Sequence, residues 1–220
     1  MSAFIGPIHY WLYSKIQIVN NREEFIYHKL SDVCGDTVDE IREQVWQTYG
    51  QPPLPNADLA ELIEHGNIHG WLQRQINLAE SREAAFIKEA LDICGSTAKD
   101  LIIEAFLEHG KIIGEKAKDA KKYDTLTAKG IYVSLNDYYL NGMPCDQADM
   151  VIKSDNDNLV WKIGTCLQEP NWKRVSIEKN FMLELYQTWI KAFVGILNND
   201  FSFRVVEGEH ESSLTYEIYK

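Results

Sequence analysis

Two histidine–tryptophan pairs, His9 with Trp11 and His69 with Trp71, carry the side chains best suited to bind a ligand. An imidazole donates and accepts hydrogen bonds, and an indole offers a flat apolar face. A small, largely apolar or aromatic molecule suits such a lining. If the segments that carry the pairs pack about a pseudo-twofold axis, equivalent residues near that axis converge. We therefore expect all four residues to bind a small-molecule ligand. The alternative is that the tryptophans belong to the hydrophobic core and that the histidines form hydrogen bonds with buried backbone groups.

Histidine and glutamate side chains form a second group, made of His65, His69, Glu108 and His109. On one continuous helix His65 and His69, four residues apart, would share a face. Such side chains on facing helices can build a zinc or di-iron site. The paired Glu-x-x-His motifs of ferritin-like sites and the HExxH zinc motif are both missing. A helical His/Glu metalloprotein is therefore the second alternative and not the leading hypothesis.

The four cysteines are Cys34, Cys94, Cys145 and Cys166, and they include no CxxC pair. In a reducing cytoplasm this spacing predicts free thiols. Cys145 follows Pro144 in a predicted loop and is the candidate catalytic nucleophile, although no histidine lies near it in sequence to act as a base. Cys34 and Cys94 come at the ends of helices, where the dipole disfavours a thiolate, which predicts structural thiols.

An internal repeat with an offset of 60 residues relates residues 8–50 to residues 68–110 without a gap. Tryptophan, histidine and cysteine rarely recur together at fixed spacing by chance, so self-similarity is the strongest signal in the chain. We predict that the two segments superpose as helical units. The matching positions include Ile8-His9-x-Trp11-Leu12 with Ile68-His69-x-Trp71-Leu72, Arg22-Glu23 with Arg82-Glu83, and Asp32-x-Cys34-Gly35 with Asp92-x-Cys94-Gly95.

Helices should make up each copy, because apolar residues recur at spacings of three and four. Gly35, Gly50, Gly95 and Gly110 follow the apolar runs as helix C′ residues would. Asp36 and Ser96 then stand where the next helix needs an N-cap. Between the copies the proline-rich segment 51–55 cannot be helical throughout, and a short helix from Ala57 to about His65 should follow. A Gly-x-x-x-Gly spacing at 66–70 and again at 110–114 would allow close helix approach.

The second half changes to β-type periodicity. Ile131, Val133 and Leu135 alternate with smaller or polar residues, which predicts a strand. A turn cluster at 154–158 precedes a second alternating run and predicts a hairpin. Ser176 should cap one long helix that continues to about Asn198. Strands at 201–206 and 214–219, joined through 207–209, should close the chain.

These elements predict an α+β fold, in which a duplicated helical N-terminal half packs on an antiparallel β-sheet with one long helix. We expect a helical subdomain at residues 1–125 and an α+β subdomain at 126–220.

Several features of the chain together resemble one known group of protein domains. They are the Glu-His-Gly-Lys-Ile-Ile-Gly segment at 108–114, Cys145 after Pro144, Cys166 at the end of a strand, a long helix and a final hairpin. The group comprises the 4-vinyl reductase domains and the related L-2-amino-thiazoline-4-carboxylic acid hydrolase-like domains, over about residues 68–220. The resemblance implies an α+β ligand-binding fold with Cys145 and Cys166 near a small-molecule pocket. Leu214-Thr215-Tyr216 stands where such domains often place another cysteine, which departs from the pattern.

The net charge of −11 disfavours binding to nucleic acid or to an anionic membrane surface. No apolar run reaches the length of a membrane helix and the N-terminus lacks signal-peptide features, so we expect a cytoplasmic protein. The leading hypothesis is a protein that binds or senses a small molecule, held between the two halves. The first alternative is a hydrolase of small cyclic amides. The sequence does not identify a cofactor and leaves the oligomeric state open, with a homodimer as one option.

Overall fold

The fold is α+β, as predicted, in a computed structural model that describes residues 5–55, 57–206 and 214–220. Helices dominate the first half, and a four-stranded antiparallel sheet lies in the second. The elements, in chain order, are α1 Pro7–Cys34, α2 Thr37–Tyr49, α3 Leu59–Leu62, α4 Ile68–Asp119, α5 Ala128–Tyr138, a 3-10 turn Pro144–Asp146, β1 Asp149–Ser154, β2 Asn158–Ile163, α6 Glu169–Arg174, α7 Lys179–Leu197, β3 Ser202–Val206 and β4 Leu214–Tyr219.

The chain divides into two compact units. Unit 1 comprises Met1–Ala105 and Gln168–Met182, and unit 2 comprises Phe106–Leu167 and Leu183–Lys220. The division falls inside α4 and α7. The boundary between a helical and an α+β subdomain, expected at residue 125, stays a prediction.

Glycines interrupt the helices of unit 1 at two positions that the repeat relates. Gly35 ends α1 with φ 56° and ψ −141°, and Gly95 breaks the run of α4 with φ 66° and ψ −145°. This conformation strains any residue with a Cβ, which explains why both positions are glycine. Gly110, which we expected to end a helix, is helical instead, because α4 continues to Asp119.

The β-sheet of unit 2 has the strand order β1-β2-β4-β3, and every neighbouring pair is antiparallel. The predicted hairpin at 154–158 is present, and Asp155 Oδ1 accepts hydrogen bonds from the backbone N–H groups of Asp157 and Asn158. The predicted connection at 207–209 lies outside the described residues.

The segment 131–135, predicted as a strand, belongs to helix α5, so that prediction was wrong. Thr127 caps the helix by accepting a hydrogen bond from the Gly130 N–H at 3.1 Å. Ile131 and Leu135 are buried, as four-residue spacing on a helix allows, whereas Val133 is 47% exposed. Apolar residues that alternate over only five positions are compatible with a strand and with a helix. Here the buried residues have the four-residue spacing of a helix.

The long helix α7 begins at Lys179, three residues later than the cap predicted at Ser176. Ser176 has φ 57°, outside the helical region, and follows α6, a short helix that we did not predict. The predicted apolar face of α7 is buried at Leu185, Trp189 and Phe193.

Helices α4 and α7 approach closely in unit 2 at Gly110 and Gly114. A Cβ at Gly110 would lie 2.6 Å from the backbone oxygen of Trp189, and one at Gly114 would lie 3.0 Å from Cβ of Ile196. The second Gly-x-x-x-Gly spacing thus marks a helix contact. At Gly66 an added Cβ would meet no described atom within 4 Å.

No helix in the described part of the chain is both long enough and apolar enough to cross a membrane.

Candidate functional site

Helices α1 and α4 of unit 1 run side by side in the same direction. His9 contacts His69, Arg22 pairs with Glu83, and Arg82 pairs with Glu23. Each contact joins a residue of α1 to one that lies 59 to 61 positions later, so the helices keep a constant register along their length. We call the polar side chains buried along this contact the polar seam. On α1 they include His9, Tyr13, the half-buried Gln17 and Asn20, which share one face with spacings of four, four and three residues.

The structure brings the two predicted ligand-binding histidines together at one end of the seam. Nδ1 of His9 accepts a hydrogen bond from the Gly6 N–H at 2.8 Å. A neutral imidazole that accepts at one nitrogen carries its proton on the other. Nε2 of His9 is therefore the protonated nitrogen, and it lies 3.4 Å from Nε2 of His69, which accepts. His9 is buried and His69 is exposed, so this end of the seam opens to solvent.

Further along α1 lie two buried polar atoms, Oη of Tyr13 one turn after His9 and Nε2 of Gln17 two turns after it. Neither atom forms a well-aligned hydrogen bond with a described residue, although the two side chains lie close enough together for the Gln17 amide to act on the Tyr13 hydroxyl. The ring of Tyr13 lies 6.0 Å from the ring of Trp71, another predicted ligand residue. Burial raises the pKa of Tyr13, and the neighbouring Gln17 amide partly opposes this rise. The phenol therefore stays protonated and can donate or accept a hydrogen bond.

Two buried ion pairs cross the middle of the seam. Arg22 donates to Glu83 from Nε at 2.6 Å and from a terminal nitrogen at 2.9 Å. Arg82 donates from Nε to Glu23 at 2.7 Å, and Trp46 of α2 donates to the other oxygen of Glu23 at 3.0 Å. These four charged side chains are almost completely buried. Buried charges are retained in proteins when they are paired and hydrogen-bonded in this way.

Glu80 is a third carboxyl group in the seam, and its protonation state differs from that of the ion-paired Glu23 and Glu83. Burial raises its pKa to about 8, although the Asn171 amide of α6 opposes this by donating to Oε2 at 2.7 Å. Ser81 donates to the oxygen of the same Asn171 amide at 3.2 Å, and Arg174 donates to Ser81 at 2.9 Å. Glu80 is therefore mostly protonated at neutral pH.

The other predicted ligand and metal residues lie elsewhere. The ring of Trp11 lies beneath the Lys15 ammonium, 4.1 Å away. His65 lies in a turn before α4, because Asn67 caps that helix at the Gly70 N–H, and its Nε2 donates to the Ala60 carbonyl at 3.1 Å. The shared helical face expected for His65 and His69 therefore does not form.

In unit 2, His109 is fully buried, and its Nδ1 accepts a hydrogen bond from the Trp189 indole at 2.9 Å. Glu108 beside it is half-buried. Within residues 5–55, 57–206 and 214–220, no group of three or more His, Cys, Asp or Glu side chains is placed to hold a metal ion.

All four cysteines are free thiols in the structure. Cys145, the candidate nucleophile, is exposed in the 3-10 turn that follows Met143. Cys166, predicted to bind ligand, is half-buried in unit 2 near Tyr216, whose pKa burial raises to about 12. Cys34 and Cys94 contact each other in unit 1, where burial and the neighbouring Cys94 thiol raise the pKa of Cys34 to about 12.

Comparison with known proteins does not assign a family. No family model matches the chain, and no curated protein matches it. A solved structure described as "Modulating Heme Redox Potential Through Protein-Induced Porphyrin Distortion" is similar with a TM-score of 0.39 and 14% identity, over 89% of this chain and 96% of that chain. A similarity at this level carries no argument about ligand or mechanism. The resemblance to the 4-vinyl reductase domains stays a prediction.

Several residues of the seam were not singled out from the sequence, although a signal for them was present. Arg22-Glu23 and Arg82-Glu83 interrupt apolar helical runs at equivalent places, and four charges repeated inside an amphipathic pattern indicate pairing. Tyr13 and Gln17 had no such signal, because Gln73 and Asn77 occupy the equivalent positions of the second copy.

Proposed function

We propose that this protein binds or senses a small organic molecule at the His9 end of the polar seam. The lining would comprise Tyr13 and Gln17 of α1, the His9–His69 pair and Trp71 of α4. The site residues His9, His69 and Trp71 support the sequence-based hypothesis of a ligand site, and Tyr13 and Gln17 extend it. The wider hypothesis, a fold like that of the 4-vinyl reductase domains, rests on the sequence resemblance alone.

The observation that carries the proposal is the pair of buried polar atoms at Tyr13 and Gln17, which lie close to each other and form no well-aligned hydrogen bond with a described residue. A buried donor or acceptor left without a partner destabilises the folded state by about 1–3 kcal/mol. Such groups are uncommon in folded proteins and call for a specific explanation. A bound molecule that accepts from both groups would remove the penalty at two atoms in one step.

The chemistry of the lining indicates the class of ligand. Gln17 Nε2 can only donate, and the Tyr13 phenol can donate, so the ligand should present an acceptor such as a carbonyl or carboxylate oxygen. Trp71 offers a flat apolar wall near Tyr13. His69 is exposed and would remain accessible to a polar end of the molecule. We infer a small aromatic or cyclic compound with one carbonyl or carboxylate group.

The test is a binding titration followed by tryptophan fluorescence, with a panel of aromatic carboxylates and cyclic amides. Native mass spectrometry of gently purified protein would first show whether a small molecule copurifies. Tyr13→Phe removes the hydroxyl and keeps the ring, so affinity for the best compound should fall about 10-fold, as expected for the loss of one hydrogen bond of about 1.4 kcal/mol.

The matched control is the repeat-related tryptophan. Trp71→Phe should weaken binding, whereas Trp11→Phe, beneath Lys15, should leave it within about two-fold of wild type. Equal losses in the two variants, or unchanged affinity in Tyr13→Phe, would refute a site at Tyr13. The hydrolase alternative is examined in parallel with Cys145→Ser, which should not change ligand affinity.

A further inference from the structure

Cys34 and Cys94 occupy corresponding places at the ends of two parallel helical segments. Each is followed by a glycine in a positive-φ conformation, Gly35 and Gly95. On the N-terminal side of the two cysteines, the contacts of His9 with His69 and of Arg22 with Glu83 keep the two helical segments in register. The two thiols are close enough for a side-chain hydrogen bond between them. The end of the seam opposite the histidine pair is therefore a pair of thiols.

We propose that Cys34 and Cys94 form a paired-thiol site that a low-molecular-weight disulfide, such as oxidised glutathione, converts into an intramolecular disulfide. This inference is independent of the ligand site at Tyr13. It concerns a modification that links α1 to α4 at positions 60 residues apart.

The reaction proceeds through two exchange steps. One protein thiol loses its proton and attacks a sulfur of the small disulfide, which forms a mixed disulfide and releases one small thiolate. The second protein thiol loses its proton, attacks the protein sulfur of the mixed disulfide, and expels the second small thiolate. Two thiols are oxidised to one disulfide, the reagent is reduced to two thiols, and the two protons pass to the departing thiolates.

The surroundings allow this chemistry. Both thiols are half-buried, so a small reagent can reach them. A Cβ added at Gly35 or at Gly95 would meet no described atom within 4 Å, so neither of these neighbouring glycines is packed against another part of the described chain.

The raised pKa of Cys34 predicts a slow reaction at neutral pH. Burial contributes most to the rise, and the thiol of Cys94 adds to it. The exchange should therefore be faster at pH 8.5 than at neutral pH, because a larger fraction of the thiols is then deprotonated.

The test uses the full chain with Cys145 and Cys166 replaced by serine, which leaves Cys34 and Cys94 as the only thiols. After incubation with oxidised glutathione at pH 8.5, both thiols should be lost, no glutathione should remain attached, and peptide mapping without reductant should show a Cys34–Cys94 link. Removal of either cysteine, as Cys34→Ser or Cys94→Ser, should instead leave a stable glutathione adduct on the remaining thiol.

Three results would overturn the proposal. These are two stable adducts on the double-serine protein, a link between separate chains, and no loss of thiols under conditions that modify Cys145 in the wild type. The wild type is mapped in the same way, because its cysteines carry no substitutions that could alter folding. A Cys34–Cys94 peptide should be found there as well, and a link of either residue to Cys145 or Cys166 counts against the site.

Discussion

Arg22 of α1 and Glu83 of α4 form a two-point ion pair that is almost completely buried. Its counterpart is the pair of Arg82 with Glu23, in which the cation and the carboxylate have exchanged helices. Such reciprocity is the contact pattern of a twofold interface between identical chains. Here it occurs within one chain, between segments that the 60-residue offset relates.

The buried ion pair should respond very differently from an exposed one. Glu83→Gln leaves the Arg22 guanidinium buried without its counter-charge, and we expect the free energy of unfolding to fall by about 3–5 kcal/mol. Glu64 and Arg74 pair at 2.5 Å on the surface, and Glu64→Gln should lower stability by no more than about 1 kcal/mol. Urea unfolding followed by circular dichroism measures both, and equal losses would contradict the difference in burial.

Glu80 should make stability depend on pH. Its pKa is 4.5 in the unfolded chain and about 8 in the folded protein. Between these values the folded state keeps a proton that the unfolded state has lost, so stability falls as pH rises. The slope is about 1.4 kcal/mol per pH unit for one proton, and it levels off above about pH 8.

The matched variant for this effect is Glu80→Gln, which keeps the shape and cannot titrate. Burial also raises the pKa of Glu23, so the wild-type curve contains more than one contribution. The difference between the wild-type and Glu80→Gln curves isolates Glu80. Parallel curves from pH 5 to pH 8 would show that Glu80 has an ordinary pKa.

Tyr13→Phe should separate stability from binding. In protein without ligand, removing a buried hydroxyl that forms no well-aligned hydrogen bond should raise the free energy of unfolding, by up to about 1–3 kcal/mol. The same change should weaken ligand binding. Differential scanning calorimetry of ligand-free protein gives the first quantity. A clear decrease in melting temperature would show that the hydroxyl has an effective partner in the folded protein, such as the neighbouring Gln17 amide.

Gly110 and Gly66 provide a matched pair of glycine positions. Gly110→Ala forces a Cβ to within 2.6 Å of the Trp189 backbone oxygen, so α4 and α7 must separate at this point. We expect a loss of about 1–3 kcal/mol. Gly66→Ala should change stability by no more than about 0.5 kcal/mol, because an added Cβ there meets no described atom within 4 Å. Similar unfolding midpoints for both variants would contradict close packing at Gly110.

The local patterns in the sequence predicted most elements correctly, and each error has a physical cause. Gly35 and Gly95 were placed at helix ends because only glycine adopts their backbone conformation without strain. At Ile131, Val133 and Leu135 the pattern was too short to distinguish a period of two from a helical period. Gly110 was expected to end a helix, yet it lies inside α4, where the lack of a side chain allows close contact with α7.

The sequence by itself determined the α+β class and the helical character of residues 8–50 and 68–110, because local periodicity is a property of the chain. Superposition of the two segments stays a prediction. Only the tertiary structure decided which residues meet: that Arg22 pairs with Glu83, that Tyr13 lies beside Trp71, and that Glu80 is buried enough to keep its proton. These properties depend on burial and on distances between residues far apart in sequence, which no local pattern encodes.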